Sequence, residues 1–297
     1  MSPAPQNWHS RFTSAPDALM LHTRDYNPAA TGALPVVCLA GLSRNSVDFE
    51  VLAQALASGS AGRPRRVLAL DYRGRGLSEY DKDWKNYNLA VEGGDILAVL
   101  TALGVAEAIF VGTSRGGINT MALSAQRPAM IRGAVLNDIG PVLEASGLVR
   151  IRSYIGKIPQ PASWADAVDL LKRLNGAGFP ALDEAGWAHF ARTTFAEKDG
   201  KLAGRYDMGL MNTLAGLDLE APLPDMWPQF DGLRHVPVLV LRGENSDLLS
   251  TATVAAMQVR HPGCEAFTVP GQAHAPLLID PPTLERIARF IVAADPA

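Results

Sequence analysis

Ile109-Phe110-Val111-Gly112-Thr113-Ser114-Arg115-Gly116-Gly117 is an apolar run that meets a serine held between glycines. Its β-branched and aromatic start reads as a buried strand, and Met121, Ala122 and Ala125 follow the serine at spacings that suit one helix face. Ser114 therefore falls on a strand-to-helix turn of the form G-x-S-x-G. Such a turn holds its apex residue in a strained backbone conformation, and side chains at positions 112 and 116 would collide with the adjoining strand or helix. The turn pushes the Ser114 hydroxyl out of the sheet edge. It also leaves the Arg115 amide at a helix N-terminus, pointing where an oxyanion can form.

The pattern alone also occurs as a purely structural turn, so the rest of the chain has to supply a base, an acid and a second anion donor. On the N-terminal side, Trp8 to Thr13 and Ala18 to Tyr26 read as edge strands. Leu34 to Ala40 is a continuous apolar run that suits a strand covered on both faces, and the loop Gly41-Leu42-Ser43-Arg44-Asn45-Ser46 follows it. Phe49, Leu52 and Leu56 then resume at helical spacing. Val67 to Leu70 is the next buried strand and leads into Asp71-Tyr72-Arg73-Gly74-Arg75-Gly76-Leu77-Ser78. This stretch has no third glycine to complete G-x-G-x-x-G and no G-K-[ST], so it is read as a structural turn and not a phosphate cradle. Leu89 to Leu103 carries an amphipathic helical pattern.

On the C-terminal side, Ile131 to Leu136 forms a sixth strand, closed by Asn137-Asp138-Ile139-Gly140-Pro141. From about 142 to 230 the texture is helical, with segments such as Ser163 to Leu174 and Glu184 to Thr194 separated by Gly and Pro. Trp164, Trp187, Phe190, Phe195, Tyr206 and Trp227 fall here, mostly as the segment's own small core, with one or two expected to face a ligand. The sheet resumes at Val236 to Leu241, followed by Arg242-Gly243-Glu244-Asn245-Ser246-Asp247, and at Ala266 to Val269, followed by Pro270-Gly271-Gln272-Ala273-His274. Pro282 to Val292 closes the chain as a helix. Strands alternating with helices imply an α/β, doubly wound, mostly parallel sheet. The expected division is a core of residues 1–141 and 231–297, with a helical cap of residues 142–230 inserted after the sixth strand. The cap is expected over the edge that carries Ser114.

The 297 residues are 47% hydrophobic, enough for a sizeable core, and the net charge is -3. No basic run or stripe offers a surface to nucleic acid or an anionic membrane, so a small-molecule substrate is the expected partner. The two cysteines, Cys38 and Cys264, lie in apolar strand-like runs and are expected as core residues, with no disulfide and no metal site. No signal-like or membrane-spanning run is visible, which makes a cytoplasmic location the default expectation. Oligomeric state is not legible.

Ser114, Asp247 and His274 stand in that chain order, each just past the C-terminal end of an expected strand, and parallel strands bring those ends to one edge. Together with the G-x-S-x-G turn, this resembles the α/β-hydrolase family over nearly the whole chain. The resemblance implies that Ser114 is a nucleophile, His274 the general base and then acid, and Asp247 the carboxylate that fixes the imidazole tautomer. It also implies an oxyanion hole made by the backbone amides of Leu42 and Arg115, with no cofactor. Asp138 ends the preceding strand, at a position some relatives use for the acid. Where many relatives have His-Gly, this chain has Ala40-Gly41, and Thr113 and Arg115 flank the nucleophile where other residues are commoner. The Arg115 side chain is expected in a surface salt bridge.

The implied activity is hydrolysis of a small carboxylic ester or lactone through an acyl-enzyme. Relatives with the same three residues also cleave carbon-carbon bonds, amides or thioesters, and others on this fold serve as ligand-binding receptors. A serine at position 114 counts against dehalogenation and epoxide opening, which need an aspartate there.

Overall fold

The computed structural model describes residues 7–216, 218 and 223–296. The chain opens with two antiparallel strands, β1 (Trp8–Ser14) and β2 (Met20–Tyr26). β3 (Val36–Leu39), α1 (Glu50–Ser58), β4 (Val67–Leu70), α2 (Leu89–Ala102), β5 (Ala108–Thr113), α3 (Arg115–Gln126) and β6 (Ile131–Asn137) then alternate strand with helix. A mainly helical stretch follows. It holds α4 (Ala145–Tyr154), α5 (Trp164–Asn175), α6 (Glu184–Thr194), a hairpin of β7 (Phe195–Lys198) and β8 (Lys201–Gly204), and the short helices α7 (Asn212–Ala215) and α8 (Trp227–Asp231). The main sheet resumes with β9 (Val238–Gly243), α9 (Thr251–Arg260), β10 (Cys264–Val269) and the closing α10 (Pro281–Ala294).

The main sheet runs in the order β1-β2-β4-β3-β5-β6-β9-β10, with β2 antiparallel to β4 and every pair from β4 onward parallel. The alternation of side chains along a strand explains why it is covered on both faces. Ala108 and Phe110 of β5 join one core with Ile96, Val99 and Leu100 of α2 and Met121 and Leu123 of α3. Ile109 and Val111 join the other, with Leu52 and Leu56 of α1 and Ile287, Phe290 and Ile291 of α10. An apolar residue at every position is therefore what a doubly covered strand requires.

A third, smaller core sits outside the sheet. Leu170 and Leu171 of α5 pack with Phe179, with Trp187 and Ala191 of α6, and with Phe195 and Leu202 of the β7–β8 hairpin. Trp187 and Phe195 are buried there, as expected of the aromatic-rich stretch. Cys38 and Cys264 are free thiols inside strands. Among the described residues no helix is long and apolar enough to cross a membrane.

Because β3, β5, β6, β9 and β10 run parallel, their C-terminal ends share one edge. That edge receives the loop at 40–46, Ser114, Asp138, the loop at 244–250 and His274.

Candidate active site

Ser114 lies between β5 and α3 with φ 50° and ψ -114°, a strained conformation for a residue with a side chain. Two glycines permit it. A Cβ at Gly116 would come within 2.0 Å of the Leu39 carbonyl oxygen, and one at Gly112 within 2.5 Å of the Gly116 backbone. The turn is held further by the Ser114 amide, which donates to the Asn137 carbonyl at 3.0 Å.

His274 follows β10 and reaches back across the edge. Its Nε2 lies 3.0 Å from Ser114 Oγ, and its Nδ1 lies 2.8 Å from Asp138 Oδ2. Asp138 is fully buried at the end of β6, where its carboxylate also accepts from the Gly243 amide at 2.7 Å and from Ser246 Oγ at 2.6 Å. A carboxylate with these partners fixes the imidazole tautomer: Nδ1 carries the proton, and Nε2 is left to accept from the Ser114 hydroxyl.

The carboxylate on the imidazole is therefore Asp138, which corrects the expectation that Asp247 would stand there. Asp247 accepts from Arg150 Nε at 2.5 Å and from Arg150 Nη2 at 2.9 Å, a bidentate pair with α4. The cause is the turn after β9. Ser246 points inward, donating to Asp138 while accepting from the Leu248 amide at 3.3 Å and the Leu249 amide at 3.1 Å. Its neighbour Asp247 then faces α4. Burial pushes the Asp247 carboxyl up, but the Arg150 guanidinium outweighs this and holds it below the usual range.

The segments that carry the Leu42 and Arg115 amides are tied to one buried carboxylate. Glu92 of α2 sits 2.9 Å from Arg75 Nη1 and accepts from Arg115 Nε at 2.7 Å, while Arg75 Nε donates to the Leu42 carbonyl at 2.8 Å. The Arg115 side chain thus enters a buried pair, not the surface salt bridge expected for it. Gly41 adjoins the serine: a Cβ built on it would lie 3.8 Å from Ser114 Cβ. Burial pushes the Glu92 carboxyl up, and Arg75 and Arg115 more than offset it. In the stretch from Asp71 to Ser78, Asp71 Oδ1 accepts from the Ser46 amide at 2.6 Å, which pins the loop that contains Leu42.

Replacing Glu92 strands two guanidinium groups, one of them fully buried. Glu92→Gln is expected to lower unfolding stability by about 3–5 kcal/mol, measured as the change in midpoint and slope of urea unfolding. A loss under about 1 kcal/mol would mean that the pair adds no net stability.

A cavity of about 210 Å³ opens over Ser114 and His274. Leu42 and Phe49 line one side, and Ile151, Tyr154, Ile155, Leu171, Leu174 and Phe190 come from the stretch between β6 and β9. Phe190 and Tyr206 are the aromatics of that stretch's sequence reading that face the cavity. Arg44, Arg150 and His189 add polar groups to its wall. Arg44 also joins the loop after β3 to the end of α6, donating to Thr193 Oγ1 and Thr194 Oγ1, each at 2.6 Å. Among the described residues no group of three His, Cys, Asp or Glu side chains is placed to hold a metal ion.

Sequence reasoning did not single out Ser246, Glu92, Arg44, Arg75 or Arg150 for the site. Only Ser246 had a local signal, since it lies in the same post-strand turn as Asp247.

The sequence profile of the alpha/beta hydrolase family matches residues 36–286. The chain belongs to the alpha/beta hydrolase family. It is 29% identical over 283 residues to a 3-hydroxybutyrate-oligomer hydrolase of Cupriavidus necator, covering 92% of this chain and 94% of that one. It is also 29% identical over 255 residues to a 2-(acetamidomethylene)succinate hydrolase of Mesorhizobium japonicum, covering 85% and 86%. The crystal structure of an alpha/beta hydrolase from Novosphingobium aromaticivorans superposes with a TM-score of 0.89 at 39% identity, covering 97% of this chain and 99% of that one. With named hydrolases among its relatives, this alpha/beta hydrolase is an enzyme.

Proposed function

We propose that this alpha/beta hydrolase cleaves a small carboxylic ester or lactone through an acyl-enzyme formed on Ser114. The observation that carries the reading is the line of contacts from Ser114 through His274 to Asp138, opening into a cavity walled mainly by apolar side chains. A serine hydroxyl is a weak nucleophile near neutral pH, and an imidazole in contact with it can take and return its proton.

In the first step Ser114 Oγ bonds to the substrate carbonyl carbon while His274 Nε2 takes the hydroxyl proton. The carbonyl oxygen becomes an oxyanion, received by the amides of Leu42 and Arg115. The carbon-oxygen bond to the leaving group then breaks, and His274 gives its proton to the departing alkoxide. Water repeats the sequence on the acyl-enzyme, its proton passing to His274 and then to Ser114 as the acid leaves. Asp138 stabilises the imidazolium in both halves. Residues 142–230 act in this reading as a cap, which is supported by the cavity walls that α4, α5 and α6 supply. The cap limits the reach of water and sets the length of acyl chain admitted. The relative named for 3-hydroxybutyrate oligomers points toward short acyl groups.

A panel of short-chain esters, lactones, amides, thioesters and vinylogous diketones tests this reading. Esters or lactones are expected to have the highest kcat/KM. A higher value for an amide, a thioester or a diketone would overturn the ester assignment while leaving the serine mechanism in place.

A further inference from the structure

Among the described residues two arginines line the cavity, and each already holds a carboxylate of this chain. Arg44 donates from Nε to Asp48 Oδ2 at 2.8 Å and from Nη2 to Asp48 Oδ1 at 2.6 Å, and its remaining bonds reach Thr193 and Thr194. Arg150 is held by Asp247 in the bidentate pair described above, with its guanidinium 5.9 Å from the centre of the Tyr154 ring. His189 is the third basic side chain in the same wall besides His274, and burial pushes its imidazole below the ordinary value. The lining cations are thus matched by internal anions.

We infer that the substrate group seated in this cavity is uncharged, and that Asp247 is the specificity-determining residue that excludes a carboxylate there by neutralising Arg150. This rests on the ester or lactone reading and adds the charge class of the substrate. An incoming carboxylate has two ways to meet Arg150, and both are unfavourable. It can displace Asp247, which leaves a half-buried carboxylate without its cation. It can instead sit beside Asp247, where two like charges share one guanidinium. A neutral acyl chain meets neither obstacle and packs against Ile151, Ile155, Leu171 and Leu174.

The pairing also gives a role to the acidic residue after β9, whose place on the imidazole is filled by Asp138. Specificity here comes from a repulsive element as much as from a complementary wall.

The test compares two activated esters of equal chain length, p-nitrophenyl hexanoate and the mono-p-nitrophenyl ester of adipic acid, which differ in a terminal methyl against a carboxylate. In the wild-type protein kcat/KM is expected to favour the hexanoate by about thirtyfold or more. Asp247→Asn exposes the Arg150 charge and is expected to raise the adipate-to-hexanoate ratio by about tenfold, and adding Arg150→Met should remove that gain. Asp247→Ser repeats the measurement if the asparagine variant does not fold. A wild-type preference for the adipate ester, or a folded Asp247 variant with an unchanged ratio, would overturn the inference. Hydrolysis of neither ester, or hydrolysis that survives Ser114→Ala, would take away the underlying serine-esterase reading as well.

Discussion

Asp138→Asn is expected to lower kcat for a p-nitrophenyl ester by about four orders of magnitude with the fold intact. The size of the loss follows from the proton inventory at one imidazole. Asp138 Oδ2 lies 2.8 Å from His274 Nδ1 and also accepts from Ser246 Oγ at 2.6 Å, while Oδ1 accepts from the Gly243 amide at 2.7 Å. An asparagine keeps its oxygen on the Gly243 amide and turns its NH2 toward His274. Nδ1 then becomes the acceptor, and the imidazole proton moves to Nε2, facing a serine hydroxyl it can no longer deprotonate. Circular dichroism and a thermal melt separate this tautomer effect from unfolding. A kcat within tenfold of wild type would show that the buried aspartate only braces the turn after β9.

Ser114→Ala removes the proposed nucleophile and carries the largest expected effect, a drop of about five to six orders of magnitude in kcat. The residual rate is expected from the proposed oxyanion donors and from substrate positioning, which survive the substitution. If the three side chains act as one unit, as proposed, Ser114→Ala combined with Asp138→Asn should lose little more than Ser114→Ala alone. Structure should be preserved, since an alanine fits the φ of 50° no worse than serine does and Gly112 and Gly116 still leave room for the turn. Steady-state assays on the purified variants check both statements. Losses that multiply in the double variant would mean that Ser114 and Asp138 serve separate steps.

Much of the architecture was legible because the strands are covered on both sides. A run such as Ile109-Phe110-Val111 sends successive side chains to opposite cores, and only apolar residues satisfy both. The helices at Trp164–Asn175 and Glu184–Thr194 were visible for the converse reason, with apolar positions confined to one face. The β7–β8 hairpin was not, since two four-residue strands carry too few alternations to stand out from the surrounding helices. Helix α9 buries only Thr253, Val254 and Met257, too few apolar positions for its period to stand out.

The acid of the site shows where local sequence stops. Asp138 and Asp247 both follow strands that end at the same edge, and chain order alone does not say which carboxylate meets His274. The choice is made by Ser246, one residue earlier, turning toward β6, and by Arg150, which lies 97 positions away and engages Asp247. Glu92 and Asp95 fall on the same face of α2 as Ile96 and Val99, and nothing within that segment names their partners. Both are buried because Arg75 and Arg115 come to Glu92, and Arg73 donates from Nε to Asp95 at 2.7 Å. Pairs between distant segments leave no periodic trace.

A fluorophosphonate probe reacts with a serine whose hydroxyl has an active base beside it, so its rate of attachment reports the proposed relay without any assumption about substrate. The account predicts a single adduct, mapped by peptide mass spectrometry to Ser114, formed at least about a hundredfold more slowly in Asp138→Asn than in Asp247→Asn. An adduct on another residue, or a rate that falls with Asp247→Asn and holds with Asp138→Asn, would contradict it.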